Sequence, residues 1–216
     1  MSLSDPPRVV WGESVPFEVP RQPLWRFLSE RNPVPRWERG IGNSPKVFIC
    51  QSAVRTVEVH LSSDVTREQG GFLVGSPYVD LANREVYVDI SAAIPAVGAI
   101  GTVGHWKLTR EALAYASRIL ETRYAEKMVV GWYHSHPGLG AFFSGTDHQT
   151  QKLFYPNDWN VALVCDPRRS AHASVHSGLT GVFACVDAWF IGANADRVWG
   201  VREYSRCHWA GRLVRV

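Results

Sequence analysis

The apolar positions of the chain follow two rhythms, and the switches between them mark out its elements. Val47-Phe48-Ile49-Cys50 is a short apolar run of strand type, and Ser52 to Ser63 follows with Val54, Val57 and Leu61 spaced as one buried helical face. Gly70-Gly71-Phe72-Leu73-Val74-Gly75, an apolar run flanked by glycine, predicts a central strand, and Val86 to Ile90 predicts another. The glycine- and alanine-rich stretch 96–104 breaks the rhythm and is expected to be flexible. Thr109 then caps a helix running to Tyr124, with Leu113, Ala116, Ile119 and Leu120 as its stripe. Val129 to Tyr133 reads as a strand, Ser144 opens a helix, and Val161 to Cys165 and Val182 to Phe190 read as further strands. This alternation predicts an α/β (α+β) domain: a mixed sheet covered by helices.

The first 45 residues obey neither rhythm. Eight of the 13 prolines fall there, and their fixed φ and missing amide donors oppose regular structure. Leu24 to Glu30, between Pro23 and Pro33, is the one stretch that predicts a short helix. Trp11, Phe17, Trp25, Phe27, Leu28 and Trp37 are too many apolar groups for a free linker, so residues 1–45 form an extended arm packed on the domain or on a partner chain. The domain proper is assigned to residues 46–216. It ends in a basic, tryptophan-containing stretch, Trp199 to Val216, suited to a partner subunit, to self-association or to covering the active site.

Composition narrows the function classes. With 216 residues, 45% hydrophobic and 20% charged, the chain holds one ordinary domain and some extra length. The net charge is only +3, and the arginines that make it basic cluster near both ends without a nucleic-acid motif, which favours solvated surfaces over a nucleic-acid partner. No apolar stretch reaches the roughly 18 residues of a membrane span, and Ser4-Asp5-Pro6-Pro7 is unlike a secretory leader. Four widely spaced cysteines with no C-x-x-C pair read as reduced thiols of a cytoplasmic protein.

The chemistry is concentrated in Gly131 to Asp147. On a strand, His134 and His136 stand two apart and face the same way, and Pro137 ends the strand behind them. The chain turns through glycines and enters a helix at Ser144, so Asp147 lies on its first turn, able to look back at the histidines. Two imidazoles and a carboxylate suit one zinc ion and leave a fourth position open. Ser144 with Asp147 also reads as an S-x-x-D capping box, which needs no metal but would hold the carboxylate still. A metal-activated water needs a proton acceptor, and Glu68, at the junction ahead of the central strand, is the best candidate.

Glu68, His134-Ser135-His136-Pro137 and Ser144-Gly145-Thr146-Asp147 together resemble the JAMM (MPN-plus) metalloprotease signature, over residues 46 to about 170. Val130-Gly131-Trp132-Tyr133 and Gln149-x-Gln151 resemble its deubiquitinating branch, as in proteasome-lid and signalosome subunits. The resemblance implies a cytidine-deaminase-like fold, with one catalytic zinc on His134, His136 and Asp147. It implies Glu68 as general acid/base and Ser144 as a donor to the oxyanion. The implied reaction is hydrolysis after the C-terminal glycines of ubiquitin or a ubiquitin-like modifier. Processing of a sulfur-carrier-type protein, or a non-catalytic MPN scaffold, are the alternatives. By the same resemblance, 96–104 either orders beside the substrate tail or is a plain loop. Phe142 and Phe143 either touch the residues around the cleaved bond or belong to the core. No second zinc set follows the motif, and His148 is expected to face solvent.

Overall fold

Alternation along β1 (Lys46–Cys50) decides which helix covers which face of the sheet. Val47 and Ile49 point to one side, where they pack with Ala53, Val57 and Leu61 of α2 (Gln51–Ser62). Phe48 points to the other, where Leu24 and Phe27 of α1 (Leu24–Arg31) cover it. The computed structural model describes residues 17–31, 46–168, 172–177, 184–185, 188–191, 198–201 and 214–215.

β2 (Gly70–Asp80) and β3 (Glu85–Pro95) form a long antiparallel hairpin, followed by a small hairpin of β4 (Ile100–Thr102) and β5 (His105–Lys107). Next come α3 (Arg110–Arg123), β6 (Met128–Ser135), α4 (Gly145–Phe154) and β7 (Val161–Asp166). The last strands are β8 (His172–Ser177), β9 (Ala184–Cys185), β10 (Ala188–Ile191), β11 (Val198–Val201) and β12 (Val214–Arg215). Among the described residues ten strands make one sheet in the order β12-β11-β10-β1-β3-β2-β6-β7-β8-β9. β1 runs parallel to β3 and β10, and β6 parallel to β7, whereas the other pairs are antiparallel. The architecture is thus the mixed α/β sheet covered by helices that the pattern predicts, and the structure adds that α1 and α2 take opposite faces.

Strand pairing is tightest where glycine removes a side chain. A Cβ on Gly131 would run into the Val161 carbonyl oxygen across the β6–β7 ladder, so the two central strands approach only because the position is bare. The register of β2 against β6 also shifts between Leu73 and Val74, the signature of a bulge.

Three expectations are corrected. The stretch 96–104 is not simply flexible, because Ile100–Thr102 pairs with His105–Lys107 and Thr102 O accepts the Glu68 amide at 2.8 Å. Its Gly101 permits close backbone approach, since a Cβ there would strike the Glu68 carbonyl. In α3, Thr109 Oγ1 does accept the Ala112 amide, but Ala112 and Ala116 are the buried pair and Leu113 is 47% exposed. Val182 to Phe190 is divided between two strands with different partners: Ala184–Cys185 pairs with β8, and Ala188–Ile191 pairs with β1. Apolarity alone does not say which neighbour a strand will have.

The arm, where described, packs on the domain. Val79 exchanges backbone hydrogen bonds with Pro20 and Gln22, and the Leu24 amide donates to the buried Asp80 at 3.2 Å. The Phe27 ring lies 5.0 Å from Phe48 and 5.1 Å from Tyr87, while Phe17 meets Trp159 edge-on at 6.0 Å. Trp11 and Trp37 lie outside the described residues, as do the side chains of Trp199 to Val216, so the contact roles expected of them do too. Cys50 and Cys165 are free thiols. No helix among the described residues is long and apolar enough to cross a membrane.

Candidate metal centre

The start of β2 meets the ends of β6 and β7, and the site is built on these three strand termini. His134 is the second-last residue of β6, paired with Gly70 on one side and Val164 on the other. The ladder continues one step past the strand, as the His136 amide donates to Cys165 O at 2.8 Å. His134 and His136 therefore keep the strand alternation and share a face, with their Nε2 atoms 2.9 Å apart. The loop behind them turns through Gly138 and Gly140, at φ +81° and +96°, conformations that favour glycine. Their amides donate to the two oxygens of the buried Asp166 at 2.8 and 2.9 Å, which fastens this loop to the end of β7.

α4 brings the carboxylate. Ser144 is its N-cap: Ser144 Oγ accepts the Asp147 amide at 3.2 Å, and Asp147 Oδ2 accepts the Ser144 amide at 2.7 Å. This capping box points Asp147 at the histidines, with Oδ1 3.1 Å from His134 Nε2 and Oδ2 3.6 Å from His136 Nε2. Burial by itself would raise the Asp147 pKa. The hydrogen bond and charge of His134, joined by the Ser144 donors, reverse that and hold it at about 2.

Glu68 closes the fourth side. Its chain neighbour Gln69 is clasped by Ser135, which donates its amide to Gln69 O at 2.9 Å and accepts the Gln69 amide on Oγ at 3.0 Å. Gln69 Nε2 also donates to His60 O at 2.8 Å and Asp64 O at 3.1 Å near the end of α2. Pinned in this way, the Glu68 carboxylate is buried with Oε1 3.8 Å from His136 Nε2. Burial, then the charge of Asp147, pushes its pKa from 4.5 up to about 7. Burial and the neighbouring His134 press His136 the other way, to about 4, against smaller opposing contributions from Asp147, the Gly140 backbone and Asp166. Although Gly140 is close enough to act electrostatically, His136 Nδ1 makes no hydrogen bond of ordinary geometry.

These donors fit a tetrahedral dication. Bonds of ~2.0–2.1 Å at tetrahedral angles hold ligand atoms ~3.3 Å apart. The 2.9, 3.1 and 3.6 Å separations found here straddle that value, the last two running to the two oxygens of one carboxylate. His136 is kept neutral and Asp147 ionised, which are the ligating forms. Among the described residues neither buried histidine Nδ1 makes a hydrogen bond of ordinary geometry, while both Nε2 atoms face the Asp147 carboxylate.

Aromatic groups wall the site, and most were not foreseen. Trp132 stacks on His134 at 4.7 Å and 10°, and Trp106 of β5 lies nearly parallel to both rings, 6.1 Å from Trp132 and 6.5 Å from His134. The two phenylalanines differ in burial: Phe143 is buried, while Phe142 is 48% exposed with its ring 4.7 Å from His136. His148 does not face solvent freely; it is half-buried, edge-on to Phe143 at 4.8 Å. A cavity of about 860 Å³ runs from Glu68 and the histidines past Trp106, Leu113 and Phe154. The roles of Asp166 and Trp106 had no local signal, since each reaches the site from an element remote in sequence.

Residues 51–173 match the family model described as prokaryotic homologs of the JAB domain. COP9 signalosome complex subunit 5 of Caenorhabditis elegans is 32% identical over 145 residues, covering 66% of this chain and 38% of that protein. The 26S proteasome non-ATPase regulatory subunit 14 of Drosophila melanogaster is 50% identical over 142 residues, covering 62% and 42%. The chain thus spans about two fifths of the length of these relatives. The solution structure of a Desulfitobacterium hafniense protein overlays with a TM-score of 0.45 at 13% identity, covering 73% of this chain and 85% of that one. With its match over more than half its length, the chain belongs to the JAB/MPN family, in the group described as prokaryotic homologs of the JAB domain.

Proposed function

We propose that this protein is a zinc-dependent peptidase or isopeptidase that cuts the bond following the C-terminus of ubiquitin or a ubiquitin-like modifier. The observation that carries this reading is the convergence of His134, His136 and Asp147 beside a buried Glu68 at the head of a long groove. In this reading the two imidazoles and the carboxylate hold one zinc ion. When bound, such an ion acidifies a water and polarises a carbonyl.

The chain's own groups supply the rest. Glu68 Oε1 takes a proton from the attacking water and returns it to the leaving amine, a task that suits a carboxyl whose environment raises its pKa toward neutrality. Ser144 Oγ already accepts the Asp147 amide, which leaves its own proton free to donate to the oxyanion of the substrate. The groove is walled by Trp106, Trp132 and Phe142, which keep bulk water from the reacting bond. The β4–β5 hairpin adds exposed strand backbone beside Glu68, suited to pairing with an extended C-terminal tail.

The signalosome and proteasome subunits among the relatives support a modifier of the ubiquitin class, one relative being titled a ubiquitin carboxyl-terminal hydrolase. Because the matched family is described as prokaryotic, a sulfur-carrier-type ubiquitin-like protein is the second reading. The test is incubation with a panel of ubiquitin-like fusions, with mass analysis of the cut and a chelator control. Cleavage after a terminal Gly-Gly that stops on chelation is the expected result. A purified protein that takes up no stoichiometric zinc would overturn the enzyme reading and favour a scaffold.

A further inference from the structure

Trp132 and Gln151 lie in the two stretches that flank the ligand motif, and neither handles a proton or holds the metal in the reading above, yet both are nearly fully buried, at 2% and 5% exposure. The indole Nε1 of Trp132 donates to Gln151 Oε1 at 2.8 Å. Indole can only donate, which assigns the amide: Oε1 faces Trp132, and Nε2 faces the carbonyls of Tyr155 and Asn160 at 3.4 and 3.3 Å. Gln151 therefore has polar partners on both sides and a single satisfying orientation.

The placement of this bond matters more than its existence. Trp132 and His134 are two apart on β6, a rise of ~6.7 Å. Asp147 and Gln151 are four apart on α4, a rise of ~6 Å on one face. Strand and helix thus present two pairs at matched spacing, His134–Asp147 at 3.1 Å and Trp132–Gln151 at 2.8 Å. The Trp132 ring also lies flat against the His134 ring, which limits the tilt of that imidazole.

We propose that Trp132 and Gln151 form a positioning rung between β6 and α4 that holds the His134–Asp147 edge at coordinating distance before any metal arrives. The Gln151 side chain acts through Trp132, its bonds running to the Trp132 indole and to the Tyr155 and Asn160 carbonyls. The proposal rests on the zinc reading of the site, and it adds that metal affinity is set one layer behind the ligands.

The test is zinc competition against a chelating dye on the full chain, with the Co2+ absorption bands as a report of ligand geometry and thermal melts as a control for folding. Trp132→Phe keeps a ring against His134 and removes the donor, while Gln151→Met keeps the volume and removes both ends of the amide. Each is expected to weaken zinc binding by about 10- to 100-fold and shift the Co2+ bands, as loss of outer-shell support does elsewhere. The double variant is expected to be no worse than the weaker single one, because both remove the same bond. Wild-type zinc affinity and unshifted Co2+ bands in both variants would overturn the rung while leaving the zinc reading intact. So would fully additive losses in the double variant. A wild-type chain that binds no zinc at all would instead defeat the zinc reading, and the rung with it.

Discussion

The Glu68 carboxylate makes a prediction that can be measured without any substrate. It is 6% exposed, and burial with the nearby Asp147 charge raises its pKa from 4.5 to about 7. Between those values the folded, metal-free protein holds a proton that the unfolded chain has released, so stability falls as pH rises through this window. At ~1.4 kcal/mol per unit the penalty reaches ~3 kcal/mol above pH 7, and the open groove beside the group trims it to ~2–3 kcal/mol. Glu68→Gln keeps the shape and cannot ionise. The chelated Gln variant should therefore match wild type near pH 4.5 and exceed it by ~2–3 kcal/mol at pH 8. For a domain of this size that is a melting shift of ~5–10 °C. Thermal unfolding in chelator from pH 4.5 to 8 measures it directly. A difference that is flat with pH, or a Gln variant no more stable at pH 8, would refute the claim that burial and Asp147 raise the Glu68 pKa toward 7. The same variant should keep its zinc and lose cleavage, so stability and activity move in opposite directions.

The other predictions probe the site and its supports. His134→Ala should abolish stoichiometric zinc uptake in metal analysis of the purified protein, and retained zinc would remove His134 from the ligand set. Asp166→Ala frees the Gly138 and Gly140 amides, with an expected cost of ~1–3 kcal/mol in chemical unfolding and faster hydrogen exchange at those two amides. Unchanged exchange would deny the clasp. Phe27→Ala empties the pocket formed with Phe48 and Tyr87, at a cost of up to ~3–5 kcal/mol, and should open the arm to trypsin at Arg21 and Arg26. Resistance equal to wild type would mean that the arm is held by other contacts.

Local pattern was enough for much of this protein. The 3.6 period of Val54, Val57 and Leu61 produced α2 to within a residue, because a helix is closed by its own hydrogen bonds and needs only one apolar face to dock. The i, i+2 histidines and the S-x-x-D cap were legible for the same reason: strand alternation and a capping box are short-range geometry. What short range cannot express is which distant backbones meet. Gly131 was merely a small residue until β7 lay against it, and Gly101 suggested flexibility until the Glu68 backbone was found beside it. Glu68 was chosen for its place ahead of the central strand, with the resemblance in support. Its raised pKa exists only because the fold buries it near Asp147, 79 positions away in the chain. Asp166 and Trp106 reach the site across still other separations, through a strand end and a hairpin that no periodicity ties to the histidines. The sequence determined the ligand types and their local spacing. The tertiary structure decided their burial, their charge states and the aromatic walls, because those depend on desolvation by whatever the chain folds against them.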